Sequence, residues 1–276
     1  MVLLLALADL PPAHVQRALN DWTAAGAAPA TVERRRATLR TALSTAERWG
    51  LVNRNVAKLA EPPRARPVER TPLTPEETGR LLDAVKGHRL AALYTLTATT
   101  GLRRGEILGL RWQDVDLDGR TLVFRSTLQR LAGAWRLDEP KSARSKRTVP
   151  LSALTVARLR EHRARQGRER IAVGPEWVDP FGGLVFTGPF GAPLEGTEVT
   201  KQLQRILAGA GLPRQRFHDL RHGAASLLLD QGLNIREVAD LLGHSSVSLT
   251  LSVYGHVLPG AKRAPADAMD RLFGVD

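Results

Sequence analysis

Four short segments carry side chains whose types and spacing could do chemistry. In TGLRRGEILGLRW (100–112), Arg103 and Glu106 lie three apart at the start of a helical pattern and can face one side, while Ile107, Leu108 and Leu110 go to the core. A surface ion pair is the commoner outcome of such spacing. In FHDLRHGAASLLL (217–229), His218, Arg221 and His222 stand at i, i+3 and i+4, above Leu220, Ala224, Leu227 and Leu228. Two histidines one turn apart could ligate a metal, but no Glu stands between them as a base and no carboxylate offers a third ligand, so no metal is assigned. In LLGHSSVSLTLSVYGHV (241–257), His244 follows a glycine that closes a helix, and Tyr254, one of only two tyrosines, comes ten residues later. Taken alone, it reads as a packed amphipathic residue as readily as a nucleophile. In EPKSARSKRTVPL (139–151), Lys141 stands in a basic turn before a strand. Its ammonium could deliver a proton in a groove where neighbouring positive charge lowers its pKa.

The rest of the composition sets what these groups could act on. The chain has 276 residues, 43% of them hydrophobic, with 40 Lys and Arg against 28 Asp and Glu, a formal charge of +12. A buried core is affordable at this length, and the excess charge points to an anionic partner, nucleic acid ahead of an acidic membrane surface. Thirteen Lys and Arg but only four acids fall between Arg125 and Arg170, so most of the surplus surrounds one region. The chain has no cysteine, which excludes disulfide frameworks, Cys-ligated metals and Cys nucleophiles and fits a cytoplasmic setting. The apolar start Val2–Ala8 is too short to span a bilayer and reads as the end of a core segment, so neither a targeting signal nor a membrane role is assigned.

Periodicity supplies the elements that must position the four segments. Residues 31–49 read as a helix capped by Thr31 and closed by Gly50, with Val32, Leu39, Leu43, Ala46 and Trp49 on one face; a weaker helical pattern occupies 12–25. The Pro- and Arg-rich stretch 61–72 reads as a linker. Thr74 and Glu77 form a capping box ahead of a helix to about Lys86, and further helices are expected at 89–99 and 103–111. The period then changes to two over Thr121–Leu128 and near 134–137 and 146–150, with Gly133 in a turn, which predicts a β-meander. Helical patterns resume at 152–166, 197–209, 218–231 and 235–242, around a Gly/Pro-rich loop at Pro175–Pro193. The expected fold class is mainly α with a small antiparallel β-meander (α+β).

In their order, the four segments resemble the tyrosine recombinase (phage integrase) family. The likeness rests on Arg103 in TGLR, Lys141 in PKS, His218 and Arg221 in HDLR, His244 in LGH and Tyr254 before GHV, with Gly50-Leu51-Val52-Asn53-Arg54-Asn55-Val56 like the end of that family's core-binding domain. The resemblance implies a helical core-binding domain over 1–60, a catalytic domain over 73–258, and a tail over 259–276 exchanged between protomers. Against the family pattern, Val56 replaces a Pro and the first domain looks N-terminally shortened.

What the resemblance implies is a site-specific recombinase that cleaves and rejoins double-stranded DNA through a 3′-phosphotyrosyl link, without metal or other cofactor. Arg103 and Arg221 would clamp the non-bridging phosphate oxygens and His244 would add a hydrogen bond. His218 would manage the proton of the Tyr254 hydroxyl, Lys141 would protonate the 5′-oxygen, and Glu106 would orient Arg103 or a histidine. A tetramer on paired sites, with DNA-bending or directionality proteins as accessories, belongs to the same expectation. The same chemistry serves type IB topoisomerases, and a non-catalytic DNA-binding protein is the reading from another class.

Overall fold

The structure, a computed structural model, describes residues 6–64, 71–139 and 146–243. The chain divides into two compact units, residues 1–69 and 70–276. Of the four chemistry-bearing segments, Lys141, His244 and Tyr254 lie outside the described residues, as does the tail 259–276.

The first unit is a pair of helices, α1 (Pro12–Ala24) and α2 (Pro29–Arg48), closed by a short 3-10 turn at Val56–Lys58. Val15, Leu19, Val32, Leu43, Val56, Ala57 and Ala60 form its core. The 3-10 turn is tied down by Asn55, which is buried. Its Nδ2 donates to the Arg40 carbonyl at 2.7 Å and to Ser44 Oγ at 2.8 Å, and its Oδ1 accepts from the Ala57 N–H. Three expectations change here. Thr31 does not cap α2, because Pro29, with φ preset for a helix, already opens it behind Ala28. Trp49 is 73% exposed, because the helix ends at Arg48 and its periodicity no longer applies. Leu7 is exposed, so the described end of Val2–Ala8 is not core.

In the second unit, Thr74 and Glu77 make the expected capping box for α3 (Pro75–Ala84). The central element is α4 (Ala91–Thr100), buried at every position except Thr99 and packed on α3, on α6 (Ala153–Val173) and on α8 (Phe217–Asp230). Six of its ten residues are apolar, and the Thr97 and Thr100 hydroxyls donate back to the Leu93 and Leu96 carbonyls, so the helix can sit inside a core. The chain then passes through α5 (Arg104–Leu108) into five short strands: β1 (Val115–Asp116), β2 (Thr121–Phe124), β3 (Thr127–Leu131), β4 (Ala134–Asp138) and β5 (Arg147–Pro150). The expected meander is replaced by two antiparallel sheets, β1-β2-β5 and the hairpin β3-β4 turning at Ala132–Gly133. The run Thr121–Leu128 is broken because Ser126 is buried and donates to the Gly109 carbonyl at 3.0 Å, which takes the chain out of one sheet and into the other. The class is therefore mainly helical with small antiparallel sheets.

Helix α6 runs seven residues past its expected end, held by an Arg89–Glu169 ion pair, and stops at Gly174. The Gly/Pro-rich stretch that follows is no mere surface loop: Leu184, Val185 and Phe186 are fully buried beneath α6. The unit is completed by α7 (Gly196–Gly209), α8 and α9 (Ile235–Leu242), the last opened by an Asn234–Glu237 capping box. Among the described residues no helix is long and apolar enough to cross a membrane.

One core group makes the second unit sensitive to acid. His162 on α6 is buried between the Trp112 and Phe186 rings, its Nε2–H donating to the Val185 carbonyl at 2.7 Å. Burial lowers its pKa below the ordinary 6.5. His88, His218 and His222 are lowered by burial as well. Between the folded and unfolded values the unfolded chain binds more protons, so stability is full above pH 6.5 and declines as the pH falls below it. Tm should drop between pH 7 and pH 5, and His162→Gln, which keeps a donor for Val185 but cannot titrate, should flatten that slope. An unchanged slope would show that His162 is not one of the linked groups.

Candidate active site

The site begins where α4 ends. Gly101 takes a left-handed conformation (φ 64°) that stops the helix, Leu102 is buried, and Arg103 becomes the residue preceding α5. Its own N–H donates to Glu106 Oε2 at 2.9 Å and its Nη1 to Oε1 at 2.8 Å. Glu106 is 3% exposed, so the expected surface pair is in fact a buried carboxylate. A second guanidinium meets it from the sheet: Arg147 Nη2 donates to Oε2 at 2.9 Å. Burial alone would raise the Glu106 pKa. The charge and hydrogen bond of Arg147, with those of Arg103, outweigh it and hold the carboxyl below its ordinary range.

Arg221 comes from α8. Its side chain is enclosed, with Nη1 donating to the Gly101 carbonyl at 2.8 Å and Nη2 to the Leu242 carbonyl at 2.7 Å. His218 and His222 sit one turn apart with rings edge to face, centroids 4.9 Å apart. The three share a side of α8 but not a depth: His218 is the least enclosed and only partly buried, His222 half-buried and Arg221 buried. For His218, burial lowers the pKa first, then the charges of His222, Arg221 and Arg103, with Asp219 opposing. For His222, burial and Arg221 outweigh Asp219. Both rings are therefore mainly neutral at pH 7. Among the described residues no cluster of three metal-ligating side chains is placed to hold an ion.

All three arginines converge on one helix end. The last carbonyls of a helix lack intrahelical partners and carry its negative pole. At the end of α9, Arg147 Nε donates to Leu241 O at 2.8 Å, Arg221 Nη2 to Leu242 O at 2.7 Å, and Arg103 Nη2 to Gly243 O at 3.2 Å. Gly243 is left-handed (φ 68°), and a Cβ there would lie 2.7 Å from Arg147 Nη1, so both conformation and space require glycine. Of the three, Arg103 is the most exposed, at 44% of its side chain against 9% for Arg147. An anion approaching from solvent therefore meets Arg103 first.

The structure thus gathers Arg103, Glu106, Arg221 and His218, and it adds Arg147. Sequence reasoning counted Arg147 only as part of the basic region. A signal for it existed: Val149 is buried in β5, and the period of two puts Arg147 on the same inward face. Upstream of Arg147, an ion pair between Lys146 and Glu139 (3.3 Å) joins the two residues that flank the segment containing Lys141.

The sequence matches the Phage integrase family over residues 72–260, more than half of the chain. The chain belongs to the phage integrase family. Among its relatives is a tyrosine recombinase XerC-like protein of Caldanaerobacter subterraneus subsp. tengcongensis, 36% identical over 72% of this chain and 53% of that protein. The integrase of Mycobacterium phage D29 is 33% identical over 98% of this chain and 70% of its own length. The chain thus spans about half the length of the first of these relatives. Among solved structures, the Tn1549 transposon integrase in complex with a circular intermediate DNA has a like fold, with TM-score 0.81 and 20% identity over 95% of this chain and 86% of that one. The lambda integrase tetramer bound to a Holliday junction superposes with TM-score 0.61 at 21% identity over 90% of this chain and 65% of that one.

The buried carboxylate carries a stability prediction for this integrase-family unit. Glu106→Gln removes the anion between two guanidiniums, one of them largely enclosed, and should destabilise the unit by about 3 kcal/mol at pH 7. Because the Glu106 pKa is lowered on folding, its contribution is present above the ordinary 4.5 and is lost as pH falls below it. Denaturant unfolding of the two proteins should therefore converge toward pH 3; a difference that did not shrink would place the effect in packing rather than charge.

Proposed function

We propose that this chain is a site-specific DNA recombinase of the integrase type, which cuts and rejoins strands of double-stranded DNA through a 3′-phosphotyrosyl intermediate on Tyr254. The observation that carries this reading is the convergence of Arg103, Arg147 and Arg221 on the carbonyls of Leu241–Gly243. The next residue in the chain is His244. The reading assigns His244 to the same phosphate as these guanidiniums.

In the proposed step the Tyr254 oxygen attacks the scissile phosphorus, forming the Tyr–O–P bond as the bond from phosphorus to the 5′-oxygen breaks. Arg103 and Arg221, with His244, stabilise the charge that builds on the non-bridging oxygens. Neutral His218 takes the phenolic proton, which at an ordinary pKa of about 10 does not leave unaided at pH 7. Lys141 protonates the departing 5′-oxygen. Reversal with a different 5′-hydroxyl rejoins the strand, and the phosphotyrosyl bond conserves the energy that ATP would otherwise supply. No metal or other cofactor is written into these steps. The unit before residue 61 would serve as a core-binding domain, 73–258 as the catalytic domain and 259–276 as a tail exchanged between protomers. Assembly as a tetramer on paired sites is supported by the like fold of lambda integrase, solved as a tetramer on a Holliday junction. DNA-bending or directionality proteins as accessories, and a cytoplasmic location, belong to the same reading.

Tyr254→Phe should bind a core-site duplex as the wild type does but form no covalent adduct on a suicide substrate; a denaturation-resistant adduct with that variant would overturn the assignment. Lys141→Ala should be slow on ordinary DNA and largely restored by a 5′-bridging phosphorothiolate, whose sulfur leaves without a proton. Failure of that rescue would move the general acid elsewhere.

A further inference from the structure

One side chain held at several points of the site is used by no step of the proposed reaction. Arg147 opens β5, and its guanidinium lies over the Phe124 ring at 5.0 Å, in the neighbouring strand β2 and in register with it. One edge donates to the buried Glu106 and Nε donates to Leu241 O, while Gly243 leaves the room that Nη1 occupies. A single planar group thus ties together three parts of the fold that are far apart in sequence. Through Glu106 it fixes Arg103 at the start of α5. Through Leu241 it fixes the end of α9, from which the chain continues to His244. Through its own backbone it anchors β5 immediately after the segment that contains Lys141.

We infer that Arg147 is a positioning residue for phosphate activation, setting the Arg103 guanidinium through Glu106 and the chain at Gly243 through Leu241. The inference rests on the proposed recombinase reading. The case is geometric. Arg103 is exposed and, among the contacts described, is oriented by two partners, the Glu106 carboxylate and the Gly243 carbonyl. Arg147 is bound beside each of those: it donates to both oxygens of the same carboxylate, Nη2 to Oε2 at 2.9 Å and Nη1 to Oε1 at 3.5 Å, and to the carbonyl two residues before Gly243 in the same helix end. A lysine at 147 would keep the charge but not the planar fork, so it could not donate from fixed directions to Glu106 and Leu241 at once. A group displaced this way alters the transition state more than ground-state binding, because DNA affinity is spread over many phosphate contacts.

The test uses the full chain, a suicide duplex carrying a core site, and the variants Arg147→Lys and Arg147→Gln. With wild-type protein forming adduct, both variants should bind the duplex within about threefold of wild type while the rate of adduct formation at saturating DNA falls on the order of 10- to 100-fold. A duplex with a methylphosphonate at the scissile position removes the oxyanion that Arg103 is set to meet, and on it the deficit of Arg147→Lys should shrink to about threefold or less. A 5′-bridging phosphorothiolate should leave the deficit in place, since Arg147 is assigned to the phosphate oxygens and not to the leaving group. Wild-type rates in Arg147→Lys overturn the inference, as does an equal deficit on both phosphate chemistries. Loss of cooperative melting in Arg147→Lys also overturns it, because Arg147 would then serve the fold alone. Absence of adduct with wild-type protein fails the recombinase reading instead, and so is distinguishable.

Discussion

The second unit is organised around one buried carboxylate. Glu106 cannot be taken out of water as an anion without partners, and the partners it has are the guanidiniums of Arg103 and Arg147. That requirement joins α5 to β5, elements 41 residues apart, as the 106-to-147 hydrogen bond shows. Once Glu106 is satisfied, the two arginines have donors directed elsewhere, and these meet the orphan carbonyls of α9. The carboxylate therefore determines where positive charge points as well as keeping the core neutral.

The end of α9 answers the same constraint from the other side. Its last carbonyls need donors, and its negative pole favours cations. Arg221, enclosed in α8, supplies the central one and reaches back to Gly101 at the end of α4, so a single side chain bridges the ends of two helices. Gly101 and Gly243, the left-handed residues closing those helices, let both ends come within reach of it. Concentrated positive charge would repel itself; here the Glu106 carboxylate and helix-end carbonyls offset it, and Arg103 alone of the three presents a large exposed face. The same field, added to burial, keeps His218 neutral near it.

Much of this was legible in the letters wherever the determining interaction is local. Thr74 with Glu77 marks the start of α3, and Gly50 and Gly243 mark helix ends, because caps and left-handed residues act within a turn of the chain. The pairing of Arg103 with Glu106 follows from spacing alone. Misreadings occurred where a second signal competed or a distant partner decided. Pro29 displaced Thr31 as the opening of α2, and Ser126 broke an alternating run by bonding to Gly109 seventeen residues away. Arg147 looked like one more cation in a basic stretch, although the alternation of β5 already turned it inward.

The family is legible in the letters alone, through the order of Arg103, Lys141, His218, Arg221, His244 and Tyr254, and so is the helical class, through periodicities set by backbone geometry. The letters also carry a net charge of +12, which favours an anionic partner and does not depend on folding. That Glu106 is buried, that Arg221 is enclosed while Arg103 is exposed, and that Arg147 joins them came from the folded arrangement. Burial and hydrogen-bond direction depend on what arrives from elsewhere in the chain. Spacing within one helix says which side chains share a side, and the neighbouring elements alone say how deep each of them lies.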